Sequence, residues 1–254
     1  MFGKNPIRSI TQDPDKLAVE KIFGPTIQGE GPLSGMRALF VRLAGCNLAC
    51  HFCDTEFETQ AENLRDTGDV FQEILSYPRE VRRLVVVTGG EPMRQNWSEL
   101  AVALFNSGTE IIQVETAGTL WQPDFDKHKL SLSRKLMWVC SPKTPKVNPR
   151  IEYLCRHWKY IIRAGELSED DGLPMYGTQP SNMLNRQRLY RPDIAKRGYI
   201  DTIWVSPCDE SGLFADGWRR PVLSNRENMR AARDSVLRHG YRLSLQVHKI
   251  VDVE

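Results

Sequence analysis

Three cysteines within eight residues form the densest set of reactive side chains in the chain. Cys46, Cys50 and Cys53 stand in Gly45-Cys46-Asn47-Leu48-Ala49-Cys50-His51-Phe52-Cys53, a C-x3-C-x2-C spacing. Three thiolates on one short loop can hold three irons of a cubane 4Fe-4S cluster. The fourth iron then has no protein ligand and is open to chelation by the amino and carboxylate groups of an exogenous molecule. No fourth cysteine follows in the loop, and the next, Cys140, is far along the chain. Zinc is the alternative, but a structural zinc takes four ligands, commonly as C-x2-C pairs. His51 could serve as the fourth only by folding back between two neighbouring ligands. The scattered Cys140, Cys155 and Cys208 are expected as buried or free thiols.

A loop of this kind must be held by regular elements, and the hydrophobic pattern supplies them. Apolar, largely β-branched runs at 38–43, 84–87, 111–115, 136–140, 158–163, 202–205 and 242–246 are candidate strands. Their near-continuous apolarity suggests parallel strands buried on both faces. Amphipathic stretches at 69–77, 97–106 and 226–239 are candidate helices. The βαβα alternation predicts an α/β fold with a parallel sheet or an open barrel. The cysteine loop follows 38–43, Thr88-Gly89-Gly90-Glu91-Pro92 follows 84–87, and Ser141-Pro142-Lys143 follows 136–140. Polar motifs at the C-terminal ends of parallel strands are where such folds place their active sites.

At 254 residues the chain is expected to be a single domain, 1–254, with an N-terminal extension at 1–20. A long polar insertion, 165–198, is expected as a lid, an oligomer contact or a partly disordered segment, with room for a reductase-docking or dimer surface. The net charge of +2 and the lack of a basic stripe argue against nucleic acid. No apolar run reaches the roughly 18 residues of a membrane span. The polar start, Met1 to Lys16, has no apolar core of a secretory signal. A cytoplasmic, reducing setting is expected, and no internal repeat is present.

The cysteine motif, with an aromatic residue before the third cysteine, resembles the radical S-adenosylmethionine (SAM) superfamily. The Gly-Gly-Glu-Pro turn strengthens the resemblance, since two glycines let a backbone approach a ligand closely. The resemblance implies a partial, open parallel β/α barrel of about six strands. It also implies reductive cleavage of SAM to a 5′-deoxyadenosyl radical, with the cofactor doing the hard chemistry. Thr26-Ile27-Gln28-Gly29-Glu30-Gly31 ahead of the first strand, Phe40-Val41-Arg42-Leu43, Asp54-Thr55 and the terminal Ser244-Leu245-Gln246-Val247-His248-Lys249 narrow it. In that order they resemble the 7-carboxy-7-deazaguanine synthase family of the queuosine and deazapurine pathway, from about residue 20 onward, leaving out 165–198.

The family resemblance implies conversion of 6-carboxy-5,6,7,8-tetrahydropterin to 7-carboxy-7-deazaguanine with loss of ammonia, using SAM, the cluster and Mg2+. It implies SAM contacts from Phe52, Cys53, Asp54, Gly90, Ser141, Pro142 and Lys143. Substrate contacts fall to Ile27, Gln28, Gly29, Glu30, Arg42, Thr88 and His248, and to the terminal carboxylate of Glu254. Glu30 suits adjacent N–H donors, and Arg42 suits a carboxylate clamp. A charge inside an apolar strand otherwise needs a buried partner. Thr55 is the implied Mg2+ ligand, an oxygen donor for a hard ion. Glu115 and Thr116 face the same rim without an assigned role. A flavodoxin-like electron donor and a homodimer are the implied partners. Ser206 departs from the pattern, where a longer polar residue is expected. The rivals are another radical SAM enzyme, such as a glycyl-radical activase, and a non-catalytic iron-sulfur or zinc module.

Overall fold

The computed structural model describes residues 6–53, 63–193, 202–209 and 222–253. The long antiparallel strand β1 (Lys16–Ile27) leads into β2 (Arg37–Leu43). The short β3 (Leu64–Asp66) and helix α1 (Thr67–Ser76) follow. Then come β4 (Leu84–Gly89), α2 (Ser98–Asn106) and β5 (Ile111–Thr116), followed by α3 (Asp124–Lys127), β6 (Leu136–Cys140) and α4 (Pro149–Leu154). The chain continues through β7 (His157–Ile162), α5 (Pro180–Leu184), β8 (Thr202–Pro207) and α6 (Val222–His239). It ends with β9 (Arg242–Leu243) and α7 (Val247–Ile250).

Among the described residues the strands form one nine-stranded sheet in the order β3-β1-β2-β4-β5-β6-β7-β8-β9. From β2 to β9 every pairing is parallel. The antiparallel pairs β1–β2 and β1–β3 extend one edge, so the sheet is wider than the expected six or so strands. β1 lies outside the apolar runs that mark candidate strands in the sequence. Its register with β2 breaks twice, between Val19 and Lys21 and between Phe23 and Thr26, and such breaks scramble the period-two pattern by which a strand is read. Thr26 and Ile27 therefore close β1, and Gln28 to Gly31 follow it.

Side chains alternate across each strand, and the two faces differ in chemistry. Leu39, Val41 and Leu43 of β2, Val85 and Val87 of β4, and Ile112 and Val114 of β5 share one core. They share it with Val70 and Ile74 of α1 and Leu100 and Leu104 of α2. The i, i+4 spacing within each helix places its apolar pair on one stripe facing the sheet. Trp97 and Phe125 meet edge-on at 4.7 Å within this layer, a geometry worth about 0.5–1.5 kcal/mol beyond area burial. Among the described residues the opposite face holds a smaller apolar cluster, Ala38, Leu84 and Val86, with Leu33, Phe40 and Ile111 packed against it. The strands are thus not apolar on both faces throughout. The described part of the polar insertion is folded: Leu173 and Leu189 join the main core, and Tyr160 donates to the carbonyl of Tyr190 at 2.8 Å. No helix among the described residues is long and apolar enough to cross a membrane.

Candidate active site

Alternation sends Arg42, Thr88, Glu115 and Lys159 to the face away from the helices, because their strand neighbours Val41, Val87, Val114 and Trp158 point into the main core. Parallel register then sets Arg42 beside Thr88. Glu115 is the hub of this group. Its carboxylate accepts from Gln28 Nε2 at 3.0 Å, from Thr88 Oγ1 at 3.0 Å and from Gln113 Nε2 at 3.2 Å. Arg42 has no carboxylate partner among the described residues; its guanidinium lies 5.2 Å from the centroid of the Phe23 ring.

Glu30 reaches across to Lys159, and the two form a direct ion pair with side chains only 12% and 10% exposed. Burial pushes the Glu30 carboxyl up, but the Lys159 ammonium, aided by His248 and Gln246, brings it net below its ordinary range. Lys159 sits in the apolar run of β7 and was missed by sequence reasoning. The signal was the one used for Arg42: a charge within a buried strand demands a partner.

The C-terminal segment is stitched onto this corner. Val247 N donates to Gly29 O at 3.0 Å, and Gly31 N donates to Ser244 Oγ at 2.9 Å. A Cβ on Gly29 would fall 1.7 Å from His248 Nδ1, so only glycine admits the ring there. Burial lowers the His248 pKa against the opposing pull of Glu30. Ile27, Gln28, Gly29, Glu30, Thr88 and His248 therefore occupy one corner of the rim.

The cysteine loop lies beside this corner, at the end of β2. Gly89 ends β4, Gly90 follows it, and both pack against the backbone that leads into the loop. A Cβ on Gly89 would lie 2.0 Å from Leu43 O, and one on Gly90 would lie 2.1 Å from Gly45 O. Gly89 also holds φ at +133°, a region open to glycine and costly for other residues. Gly90 N and Glu91 N donate to Leu43 O and Gly45 O, each at 3.1 Å. Glu91 is fully buried and accepts from Thr116 Oγ1, Ala117 N and Met93 N at 2.6, 2.7 and 3.0 Å. It pins the turn to the end of β5, while burial raises its pKa.

Cys46 is buried, Cys50 and Cys53 are half-buried, and none is in a disulfide. Burial, and then the charge of Glu91, push the Cys46 thiol far up, with Cys50 and Cys53 adding to the shift. Among the described residues no three His, Cys, Asp or Glu side chains are gathered about one metal-ion position. The donor set fits a cluster that the three thiols of one loop, none of them in a disulfide, would hold beside the close backbone approach of Gly89 and Gly90. Cys140, Cys155 and Cys208 are buried and in no disulfide.

Phe52 meets His51 edge-on at 4.9 Å, and Lys143 Nζ stands 5.9 Å from the Phe52 ring centroid. Lys143 also donates to Ser141 Oγ. Burial draws its pKa down, while the neighbouring Cys50 opposes the shift. Pro142 is buried between them. Ser206 is buried in β8. Asp54, Thr55 and Glu254 lie outside the described residues.

An open parallel β/α sheet with a three-cysteine loop on its first parallel strand and a Gly-Gly turn on the next defines a radical SAM enzyme. The chain is 40% identical over 254 residues to a 7-carboxy-7-deazaguanine synthase of Rhodospirillum rubrum, covering all of both chains. It is 34% identical to that of Rickettsia prowazekii, covering all of this chain and 96% of the relative. It belongs to the 7-carboxy-7-deazaguanine synthase family. The crystal structure of QueE from Escherichia coli matches with a TM-score of 0.56 at 20% identity, covering 91% of this chain and 94% of that one; this likeness bears on the fold. No family model matches the chain.

Proposed function

We propose that the chain converts 6-carboxy-5,6,7,8-tetrahydropterin to 7-carboxy-7-deazaguanine and ammonia. The observation that carries this is the meeting, at one rim, of the three-thiol loop and the polar corner of Arg42, Thr88, Glu115, Glu30 and His248. A bound 4Fe-4S cluster with SAM supplies the one-electron chemistry that activates a substrate C–H bond.

The protein's part is to hold the reactants in register. Arg42, stacked on Phe23 and without a carboxylate partner among the described residues, offers its donors to the substrate carboxylate, for which a guanidinium fork is suited. Glu30 and Gln28 take the amide and amine edge of the pterin, with Ile27 and Gly29 adding backbone groups. Glu115 orients Gln28 and Thr88 through the hydrogen bonds it accepts. Lys159 keeps Glu30 ionised in a half-dry corner, so that it acts as an acceptor only. His248 closes the corner over Gly29. On the other side, Cys46, Cys50 and Cys53 would hold the cluster. Phe52, Cys53, Gly90, Ser141, Pro142 and Lys143 line the side where SAM would bind, and Asp54 is assigned to SAM on the family resemblance alone.

Mg2+ at Thr55 rests on the family resemblance and on the preference of the ion for oxygen donors. Thr55→Ala should slow turnover and weaken its dependence on added Mg2+ without loss of iron; an unchanged Mg2+ response removes this ligand. A homodimer and a flavodoxin-like electron donor have the same support. Six cysteines with no disulfide among them favour a reducing, cytoplasmic setting.

An anaerobic assay with the carboxylated tetrahydropterin, SAM, Mg2+ and dithionite tests the reaction. The expected result is a deazaguanine chromophore with release of ammonium. Cleavage of SAM to 5′-deoxyadenosine with no deazaguanine favours a different radical SAM reaction, such as glycyl-radical activation.

A further inference from the structure

The segment after β7 reaches back to one of the three sulfurs. Thr178 Oγ1 lies 3.1 Å from Cys50 Sγ, and Gln179 Nε2 lies 3.3 Å from the same atom. The orientation of the Gln179 amide is decided by its other end. Oε1 accepts from Ala49 N at 2.8 Å, so the NH2 group must face the sulfur. That group has two hydrogens; one faces Sγ and the other faces Thr178 Oγ1, at 3.1 Å.

The Thr178 hydroxyl therefore accepts from Gln179 and has a single proton to give. Two acceptors compete for it, Cys50 Sγ at 3.1 Å and Lys143 O at 3.2 Å. Lys143 O already accepts from Thr178 N at 2.8 Å. An iron-bound thiolate carries no proton and only accepts, so in the loaded protein both groups donate to it.

The donors are held firmly. His51 Nδ1 donates to Thr178 O at 3.2 Å, which leaves Nε2 to accept from Arg163 Nη1 at 3.0 Å. Gly177 N donates to Gln187 O at 3.0 Å. Arg191 grips Asp171 through Nε at 2.7 Å and Nη2 at 3.2 Å. The result is a brace from a folded excursion of the chain onto the middle ligand of the cysteine loop.

We propose that Thr178 and Gln179 are positioning residues that tune the cluster through Cys50, raising its reduction potential. Hydrogen bonds to a cluster sulfur draw electron density from it and favour the reduced state, and they are among the factors that set the potential of such clusters. The inference rests on the proposed cluster at Cys46, Cys50 and Cys53.

The test uses full-length protein reconstituted anaerobically with iron and sulfide. Iron content is measured first, then the midpoint potential by redox titration followed by electron paramagnetic resonance. Thr178→Val and Gln179→Leu should retain the cluster and move the midpoint to more negative values, with a larger shift in the double variant. Thr178→Ser keeps the hydroxyl and should stay at the wild-type midpoint. If Gln179→Leu loses iron because Ala49 N loses its acceptor, the Thr178→Val and Thr178→Ser pair decides alone. An unchanged midpoint in Thr178→Val, or an equal shift in Thr178→Ser, overturns the inference and leaves the cluster reading intact. Wild-type protein that takes up no 4Fe-4S cluster overturns the cluster reading, and the inference with it.

Discussion

The cluster wall and the substrate wall of the site meet at one rim but are built on different plans. The cluster wall comes from short contiguous motifs: one cysteine loop, one Gly-Gly turn, and Ser141 with Lys143 at the end of β6. Its precision is in the backbone, where Gly89 and Gly90 let β4 close on the loop to distances no side chain tolerates. The substrate wall is assembled from single residues on β1, β2, β4, β5, β7 and α7, and its order comes from charge and hydrogen bonds. Glu30 with Lys159, and Glu115 with its three donors, are its two anchors. Soft metal chemistry thus needs close packing around sulfur, whereas recognition of a flat polar substrate needs ionised groups fixed on rigid strands.

Breaking the cluster wall at its sulfurs gives the largest effect. Cys46→Ala, Cys50→Ala or Cys53→Ala should each abolish SAM cleavage and deazaguanine formation, with the far-ultraviolet circular dichroism unchanged. Assays of iron, acid-labile sulfide and 5′-deoxyadenosine check this. A cysteine variant that still cleaves SAM removes that residue from the cluster.

The substrate wall should fail first in stability. Lys159→Met leaves Glu30 without its ammonium partner in a site 12% exposed, and removing one partner of a buried pair costs about 3–5 kcal/mol. Urea denaturation should show this loss, and the Glu30→Gln/Lys159→Met double variant should recover most of it. A double variant no more stable than Lys159→Met shows that the pair is not the anchor described here.

A lesser effect separates backbone from charge. Gly90→Ala puts a Cβ against Gly45 O and should shift the cysteine loop. Misplacements near 1 Å can cost about 10²-fold in rate, so turnover should fall by about that factor, with a loss of about 1–3 kcal/mol in urea stability from the overpacking. Wild-type turnover in Gly90→Ala contradicts this close backbone approach.

How much of each wall is legible in the sequence follows from how it is built. The cysteine loop, the Gly-Gly turn and Ser141-Pro142-Lys143 are contiguous and each follows an apolar run, so their place at strand ends can be read directly. Arg42 is legible as a charge in an apolar strand. Lys159 carries the same signal between Trp158 and Tyr160, but its partner Glu30 is remote in sequence and becomes visible only when β1 folds beside the parallel sheet. β1 itself is hidden by its register breaks. The hydrogen bonds from Thr178 and Gln179 to Cys50 join two polar segments with no periodic pattern, so nothing local announces them.

The smallest expected effect is one of pH. The folded Glu30 carboxyl lies below its ordinary value of 4.5, so its pairing contributes stability that is fully present above that pH. The contribution is lost as pH falls through the lowered folded value. Glu30→Gln should flatten this part of the acid limb when unfolding free energy is measured against pH. An unaltered slope would place the ionised pair elsewhere.

The central claim is that three thiolates leave one iron of a cubane open at the rim, and the spectrum of the reduced protein with and without SAM tests it most directly. The account predicts a 4Fe-4S electron paramagnetic resonance signal that changes shape when SAM is added to the anaerobically reconstituted protein. Bound zinc in place of iron, or a cluster signal that SAM leaves unaltered, contradicts it.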